Sequence, residues 1–405
     1  MTAAVAMTAL QSVGARGATS EAAVWGTFAH VATGDLGTNE ARQAAARYDT
    51  LAVRGAITAA LLSDLHQRHA GITLLAYEKA AGLSNAEANT LASTHPDWIA
   101  RDSSGQAIHP QNIPDTTLAD LTNADFRAWQ SDKMAAEVAL GADGAFIDTL
   151  GAYFPSDFYT ARPVVNGTAV TDAAWRDGSA DLIRRVKAAS GRMVVANGFG
   201  LGSGAAYYAA AADADVLIDA ADGVQVENFT RPANAPAGAY RTADQWDKDL
   251  AFVELLGARA KTTLAYTKVK TTATAAELSS LRDYALGSFL LSFAPGRSYF
   301  GFDDGNAIPA VTSDATWARG LGAPNAARVR SGTDGWTRPF QNGQLTVRVA
   351  SAPVVGGGAP SRQTATFTGT GSARSTYPIT IGAGPVTVTA TFTGGSYKTL
   401  MVFDG

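Results

Sequence analysis

Two carboxylates close apolar runs in this chain, Asp148 in GADGAFIDTLG and Glu227 in ADGVQVENF. Cleavage of a glycosidic bond calls for such a pair: one acid protonates the departing oxygen, and a second carboxylate acts as nucleophile or as base for water. Between them VVANGFG carries Asn197, whose amide can hold a sugar hydroxyl or orient a carboxylate. Environment should split the two pKa values. Glu227, flanked by apolar residues, is expected to be the acid, with Asp148 ionised. Each also has a plainer reading, Asp148 as a helix N-cap and Glu227 as a surface-loop glutamate.

Further polar and aromatic residues stand at the ends of other apolar runs. LLAYEK offers Tyr77 as a stacking ring and Glu78 as a ligand for a sugar hydroxyl or an alternative acid, with a salt bridge to Lys79 or another cation as the competing reading. Lys268 in AYTKVK could bind substrate, or serve as base or Schiff-base amine in a lyase or isomerase. Asp303 and Asp304 in FGFDDGN could bind substrate or calcium, or simply make a turn. The long connection from Lys79 to Asn123 holds Asp97 and Trp98, candidates for a sugar platform, although Trp98 could equally pin the loop. Tyr153, with Trp25, Phe154, Phe199 and Phe229, could stack on sugar faces or fill core.

Other chemistries find less support. The five histidines are scattered, and His66 and His69, three apart on an expected helix, read as solvated helix residues, so no metal site is expected. GLGSGAA (200–206) approaches a serine nucleophile elbow but fits a Gly-rich connection better. No cofactor is implied.

These residues need a scaffold that brings strand ends to one face. From Ala23 to about Phe293, short β-rich runs alternate eight times with helical patterns. The expected strands are 23–30, 50–55, 72–78, 144–150, 193–199, 223–229, 262–269 and 288–293. Their apolarity is continuous rather than alternating, as in parallel strands covered on both faces. The helical segments end in Gly, a common C-cap, and the one expected to cover the last strand closes at Gly287. A doubly wound open sheet would normally show a Gly-rich phosphate turn after its first strand, and HVATGDLGTNEARQ has none in register. The expected fold is α/β, a (β/α)8 barrel over 23–296 followed by a small all-β C-terminal segment.

The remaining chain divides by composition. Residues 1–22 read as a signal-peptide remnant or a disordered tail. Residues 297–355 look like a β-structured closing segment, 356–360 like a Gly-rich linker, and 361–405, rich in Thr and Gly, like a small or partial β-sandwich. A net charge of −4 without a Lys/Arg block gives no footprint for nucleic acid or an anionic membrane. No later stretch reaches the roughly 18 apolar residues of a membrane span. Zero cysteines leave no disulfides or thiolate sites and suit a secreted or extracytoplasmic enzyme. A monomer acting on carbohydrate is expected.

The order of HPDWIARDSSG, GADGAFIDTLG, LGAP and RPFQNGQLTV resembles the bacterial barrels grouped as hypothetical glycosyl hydrolases, over roughly residues 23–350. That resemblance implies a (β/α)8 glycoside hydrolase of an oligo- or polysaccharide. A second similarity is to retaining barrels acting on galactosamine-containing microbial polysaccharides, which take Asp, Asn and Glu from successive strands. It implies Asp148 as nucleophile and Glu227 as acid/base. A barrel that binds carbohydrate without cleaving it remains the alternative.

Overall fold

The computed structural model describes residues 25–33, 37–305, 318, 321–349, 364–367, 375–381 and 384–390. The expected signal remnant and the Gly-rich linker lie outside the described residues. Eight strands close a barrel: β1 (Gly26–Thr33), β2 (Thr50–Gly55), β3 (Thr73–Lys79), β4 (Gly144–Gly151), β5 (Met193–Phe199), β6 (Gly223–Val226), β7 (Thr262–Lys268) and β8 (Ser298–Asp303). Each pairs in parallel with its neighbours, and β8 returns to β1. Parallel neighbours need crossovers, which the intervening helices supply.

Each strand sends alternate residues inward. The interior packs Phe28, Ala52, Leu75, Phe146, Val195, Leu264 and Tyr266 into one buried cluster. Residues of the opposite parity, such as Val53, Leu74, Ile147 and Val194, join the larger core that includes the surrounding helices. Gly301 in β8 leaves room for the Tyr266 ring, which a Cβ there would meet at 2.5 Å. One step further along the same inward parity, the strands end in polar groups: His30, Arg54, Tyr77, Asp148, Asn197, Glu227, Lys268 and Asp303. The inward face is therefore apolar below and polar at the carboxyl ends.

The eighth strand is not where continuous apolarity puts it. Residues 288–293 belong to the end of the helix Ala275–Ser292 and its C-cap, and β8 begins only at Ser298. Gly287 lies within that helix rather than at its end, where the C-terminal sheet comes close, with Val347 Cγ2 at 3.1 Å from where a Cβ would stand. Every residue from Tyr284 to Ser292 is buried, so the segment has no polar face to betray its helical period. Arg338 donates to the carbonyls of Leu290 and Phe293 at 3.1 and 3.0 Å, satisfying the exposed end of the helix from the sheet side.

That sheet contains β9 (Val329–Arg330), β10 (Gly335–Phe340), β11 (Gly343–Arg348), β12 (Thr364–Phe367), β13 (Ser375–Ile381) and β14 (Gly384–Ala390), in the order β9-β10-β11-β12-β14-β13. Among the described residues of the segment expected as a small or partial β-sandwich, the Thr-rich strands extend the sheet begun by β10 and β11. Pairing β12 with β11 is how a segment of few residues avoids standing alone.

Candidate active site

Asp148, Asn197 and Glu227 come from β4, β5 and the residue following β6, three neighbouring positions of the barrel wall. Asn197 is almost fully buried, and its Nδ2 donates to Asp148 Oδ1 at 2.8 Å and to Glu227 Oε2 at 3.1 Å. The two carboxylate oxygens are therefore no further apart than the sum of these distances, 5.9 Å. Because the two N–H bonds of an amide diverge, a separation of about 5 Å is the natural geometry.

Local backbone chemistry aims these groups. The pairing of β4 with β5 slips between Ile147 and Leu150, and Thr149 takes φ 60°, a left-handed value unusual for a β-branched residue. The bulge brings the Thr149 N–H onto Asp148 Oδ1 at 2.7 Å. Opposite it, Gly198 has φ 154°, and a Cβ there would meet the Leu150 carbonyl oxygen at 2.0 Å. Only glycine fits beside the bulge, next to Asn197.

Asp148 accepts a third hydrogen bond, from the Tyr77 hydroxyl. Burial and the charge of Glu227 push its carboxyl above the ordinary range, while Tyr77 and the Thr149 amide pull it down. Burial also works to raise Glu227. There the ammonium of Lys268, bonded to Oε1, and the Asn197 amide prevail, and the carboxyl lies below its usual value. This reverses the sequence expectation that Glu227 would be the more readily protonated partner. The apolar neighbours of Glu227 in sequence point away from it, and its immediate surroundings are set by Lys268 on β7.

Together these residues line an open cavity of ≈ 330 Å³, with His30, Arg54, Tyr266, Lys270, Glu40 and Asp303 completing the wall. His30 Nε2 meets Gln225 Oε1 at 2.8 Å, and burial, with help from Lys268, drives its pKa down to about 4, so the ring is neutral at neutral pH. Rings of His30, Tyr77 and Tyr266 line it, and His30 stands edge-on to Tyr266 and to the buried Phe146 at 5.0 Å. Asp303 accepts from the Tyr266 hydroxyl. Among the described residues, Asn197 Oδ1 and Gln225 Nε2 are buried and have no hydrogen-bond partner, an acceptor on the cavity wall and a donor on the neighbouring strand.

Of the residues singled out in the sequence, Asp148, Glu227, Asn197, Tyr77, Lys268 and Asp303 meet at this cavity. Glu78 does not. The two-residue step that sends Tyr77 inward turns Glu78 outward to the helix Ala124–Val138, where it lies 3.3 Å from Lys133. Trp98 is buried away from the cavity, stacked on His95 at 3.9 Å beside Phe126, which is the loop-pinning reading. Asp97 accepts from Asn123 at 3.0 Å in the same loop. Tyr153 is partly buried near Gly200 and does not line the cavity, and Trp25, Phe154 and Phe229 are core. His66 lies in the helix Ala59–Arg68, partly exposed and 3.4 Å from Asp143. Ser203, in the Gly-rich connection, caps the helix Gly204–Ala209.

His30, Arg54, Gln225 and Tyr266 were not among the residues singled out from the sequence. His30 and Arg54 end apolar runs just as Asp148 does, and inward parity is the signal that finds all four.

Residues 70–344 match hypothetical glycosyl hydrolase family 15. No curated protein matches the chain. Solved structures similar to it include the glycoside hydrolase domain of PelA from Pseudomonas aeruginosa, at 18% identity and TM-score 0.45, covering 70% of this chain and 96% of that one. Ega3 of Aspergillus fumigatus, solved with galactosamine, is 13% identical with TM-score 0.43, covering 72% and 96%. Amy13B of Eubacterium rectale is 12% identical with TM-score 0.49, covering 80% and 86%.

Proposed function

The chain belongs to hypothetical glycosyl hydrolase family 15, and from that premise we propose that it is a retaining glycoside hydrolase with Asp148 as nucleophile and Glu227 as acid/base. The observation that carries this reading is the pair itself, two carboxylates within 5.9 Å across one amide at the mouth of an open cavity. Inverting enzymes keep their carboxyl groups roughly 6.5 to 9.5 Å apart to admit a water, and retaining ones hold them at about 5 to 5.5 Å. Asp148 suits the nucleophile because Tyr77, Thr149 and Asn197 all donate to it, an arrangement built for a carboxylate.

In the first half-reaction an Asp148 oxygen bonds to the anomeric carbon as the glycosidic bond breaks, and Glu227 gives its proton to the leaving oxygen. In the second, Glu227 takes a proton from water, whose oxygen displaces Asp148 with net retention. Asn197 Oδ1, on the cavity wall, is poised for a sugar hydroxyl or an ordered water. A secreted enzyme acting on an oligo- or polysaccharide fits the cysteine-free composition.

The test is a panel of 4-nitrophenyl glycosides and microbial polysaccharides, with the anomeric proton of the first product followed by NMR. Release of the retained anomer by the wild type, and its loss in Asp148→Asn, is the expected result. The inverted anomer would overturn the nucleophile assignment. A sugar that protects the protein from heat without being cleaved would favour the non-catalytic reading.

A further inference from the structure

We propose that Lys268 is the positioning residue that decides which of the two carboxylates holds the proton, pairing with Glu227 in the free enzyme and leaving it for a hydroxyl of the entering sugar. This rests on the hydrolase reading above, and it answers a difficulty within it. A double displacement begins with Glu227 protonated and Asp148 ionised, whereas in the free protein the ammonium of Lys268 favours the ionised form of Glu227. Lys268 bonds Glu227, whereas the donors to Asp148 are Tyr77, Thr149 and Asn197.

The geometry makes an exchange of partners feasible. Lys268 ends β7 between Glu227 and Asp303, lines the cavity, and has a side chain 13% exposed, against 30% for Glu227. Its flexible stem carries three rotatable donors, so the ammonium can turn to a hydroxyl without moving the strand. Once the cation leaves, burial and the charge of Asp148 both favour a proton on Glu227. The proton held by Asp148 is released to solvent in the open cavity and Glu227 takes one up from it, so the pair carries a single proton throughout the exchange. The proton on Glu227 then passes to the leaving oxygen as the Asp148 oxygen bonds to the anomeric carbon, and Glu227 recovers one from the incoming water.

The other groups facing the pair stay in place in this exchange. His30 and Arg54 face it from β1 and β2, Tyr77 from β3, and Tyr266 and Asp303 from β7 and β8. Glu40 and Lys270 lie on the cavity wall, and Tyr159 approaches Asp148 from the loop after β4. Replacing Lys268 alone therefore changes the order of protonation without altering these charges.

The experiment is a carboxyl 13C NMR titration of the intact protein labelled at Asp and Glu, with Asp148→Asn and Glu227→Gln identifying the two resonances. In the wild type the first proton is expected on Asp148. In Lys268→Met, and in Lys268→Gln should the first variant fold poorly, it is expected on Glu227, whose titration moves up by roughly one pH unit or more. Lys268→Arg, which keeps the charge, should retain the wild-type order. Asp148 still taking the first proton in both neutral variants would overturn the proposal.

Exchange on binding is read from the alkaline limbs of kcat/KM and kcat with a 4-nitrophenyl glycoside that the wild type cleaves. The kcat limb should lie higher in the wild type, and the two should coincide in Lys268→Met. Coincident limbs in the wild type would overturn the exchange. An enzyme that cleaves no glycoside, yet shows the titration order above, would count against the hydrolase reading alone.

Discussion

Asp148 and Glu227 are joined through the one amide nitrogen of Asn197, which donates to both, at 2.8 and 3.1 Å. Their separation is thus fixed by the geometry of an sp² nitrogen rather than by two long side chains finding each other. Because Asn197 is buried and Gly198 beside it admits no side chain, the bridge is anchored by backbone packing.

Removing the bridge should separate catalysis from stability. Asn197→Ala is expected to lower kcat by about 100-fold, with a much smaller change in KM, because the carboxylates lose their spacing while the cavity persists. Steady-state kinetics on an aryl glycoside checks this. An unchanged kcat would mean that the strands alone set the spacing.

Tyr77→Phe removes one of the three donors to Asp148. That donor pulls the Asp148 carboxyl down, so its loss should let burial and Glu227 push the carboxyl further up. A nucleophile that must be ionised then fails at higher pH, and the acid limb of kcat/KM should move toward neutrality, with a loss of about tenfold or more on the acid side. A uniform loss at every pH would point to a packing role for the ring.

Glu227→Gln should abolish cleavage of poor leaving groups while sparing the first step on activated aryl glycosides, giving a burst of nitrophenol followed by slow turnover. Azide, which needs no general base, should restore turnover as a glycosyl azide of retained configuration. Equal loss on both substrate classes, with no rescue, would count against Glu227 as acid/base.

Glu78 and Trp98 lie outside the cavity, so they should behave oppositely to the residues above. Glu78→Gln is expected to change kcat/KM by less than about threefold. Trp98→Ala is expected to cost roughly 3 kcal/mol of stability, read as a lowered Tm, because it empties the stack with His95 and Phe126. A specific loss of polysaccharide binding in a stable Trp98→Ala protein would restore the sugar-platform reading.

Glu78 matters instead for stability against pH. Glu137 lies beside it, and burial, the charge of Glu78 and a hydrogen bond between the two push the Glu137 carboxyl up to about 8. A carboxyl whose folded pKa exceeds its unfolded value of about 4.3 binds a proton on folding. Its contribution is full below the unfolded value and is lost as pH rises through about 8. Thermal unfolding from pH 4 to 9 should therefore show a decline that Glu137→Gln flattens, and parallel curves for the two proteins would remove Glu137 as its source.

Much of the site is legible in the chain. Runs such as GAFID, VVAN and VQVE end in polar groups because a barrel strand is covered on both faces below its carboxyl end and opens to a cavity above it. The two-residue period of a strand, applied strictly, separates Tyr77 from Glu78 and picks out His30 and Arg54. The position of β8 is not legible, since the helix Ala275–Ser292 is covered on its outer side by the C-terminal sheet and carries the same continuous apolarity as a strand.

The alternation of elements, the closed barrel that eight such units make, and the acids delivered to its carboxyl face are written in the order of residues along the chain. Which of those acids is favoured as the ion depends on the folded chain, on Lys268, 41 residues from Glu227 along the sequence and in contact with it only across the β6 to β7 edge. Strand order brings a cation to one carboxylate and a tyrosine to the other, and electrostatics acts over distances that local sequence does not record.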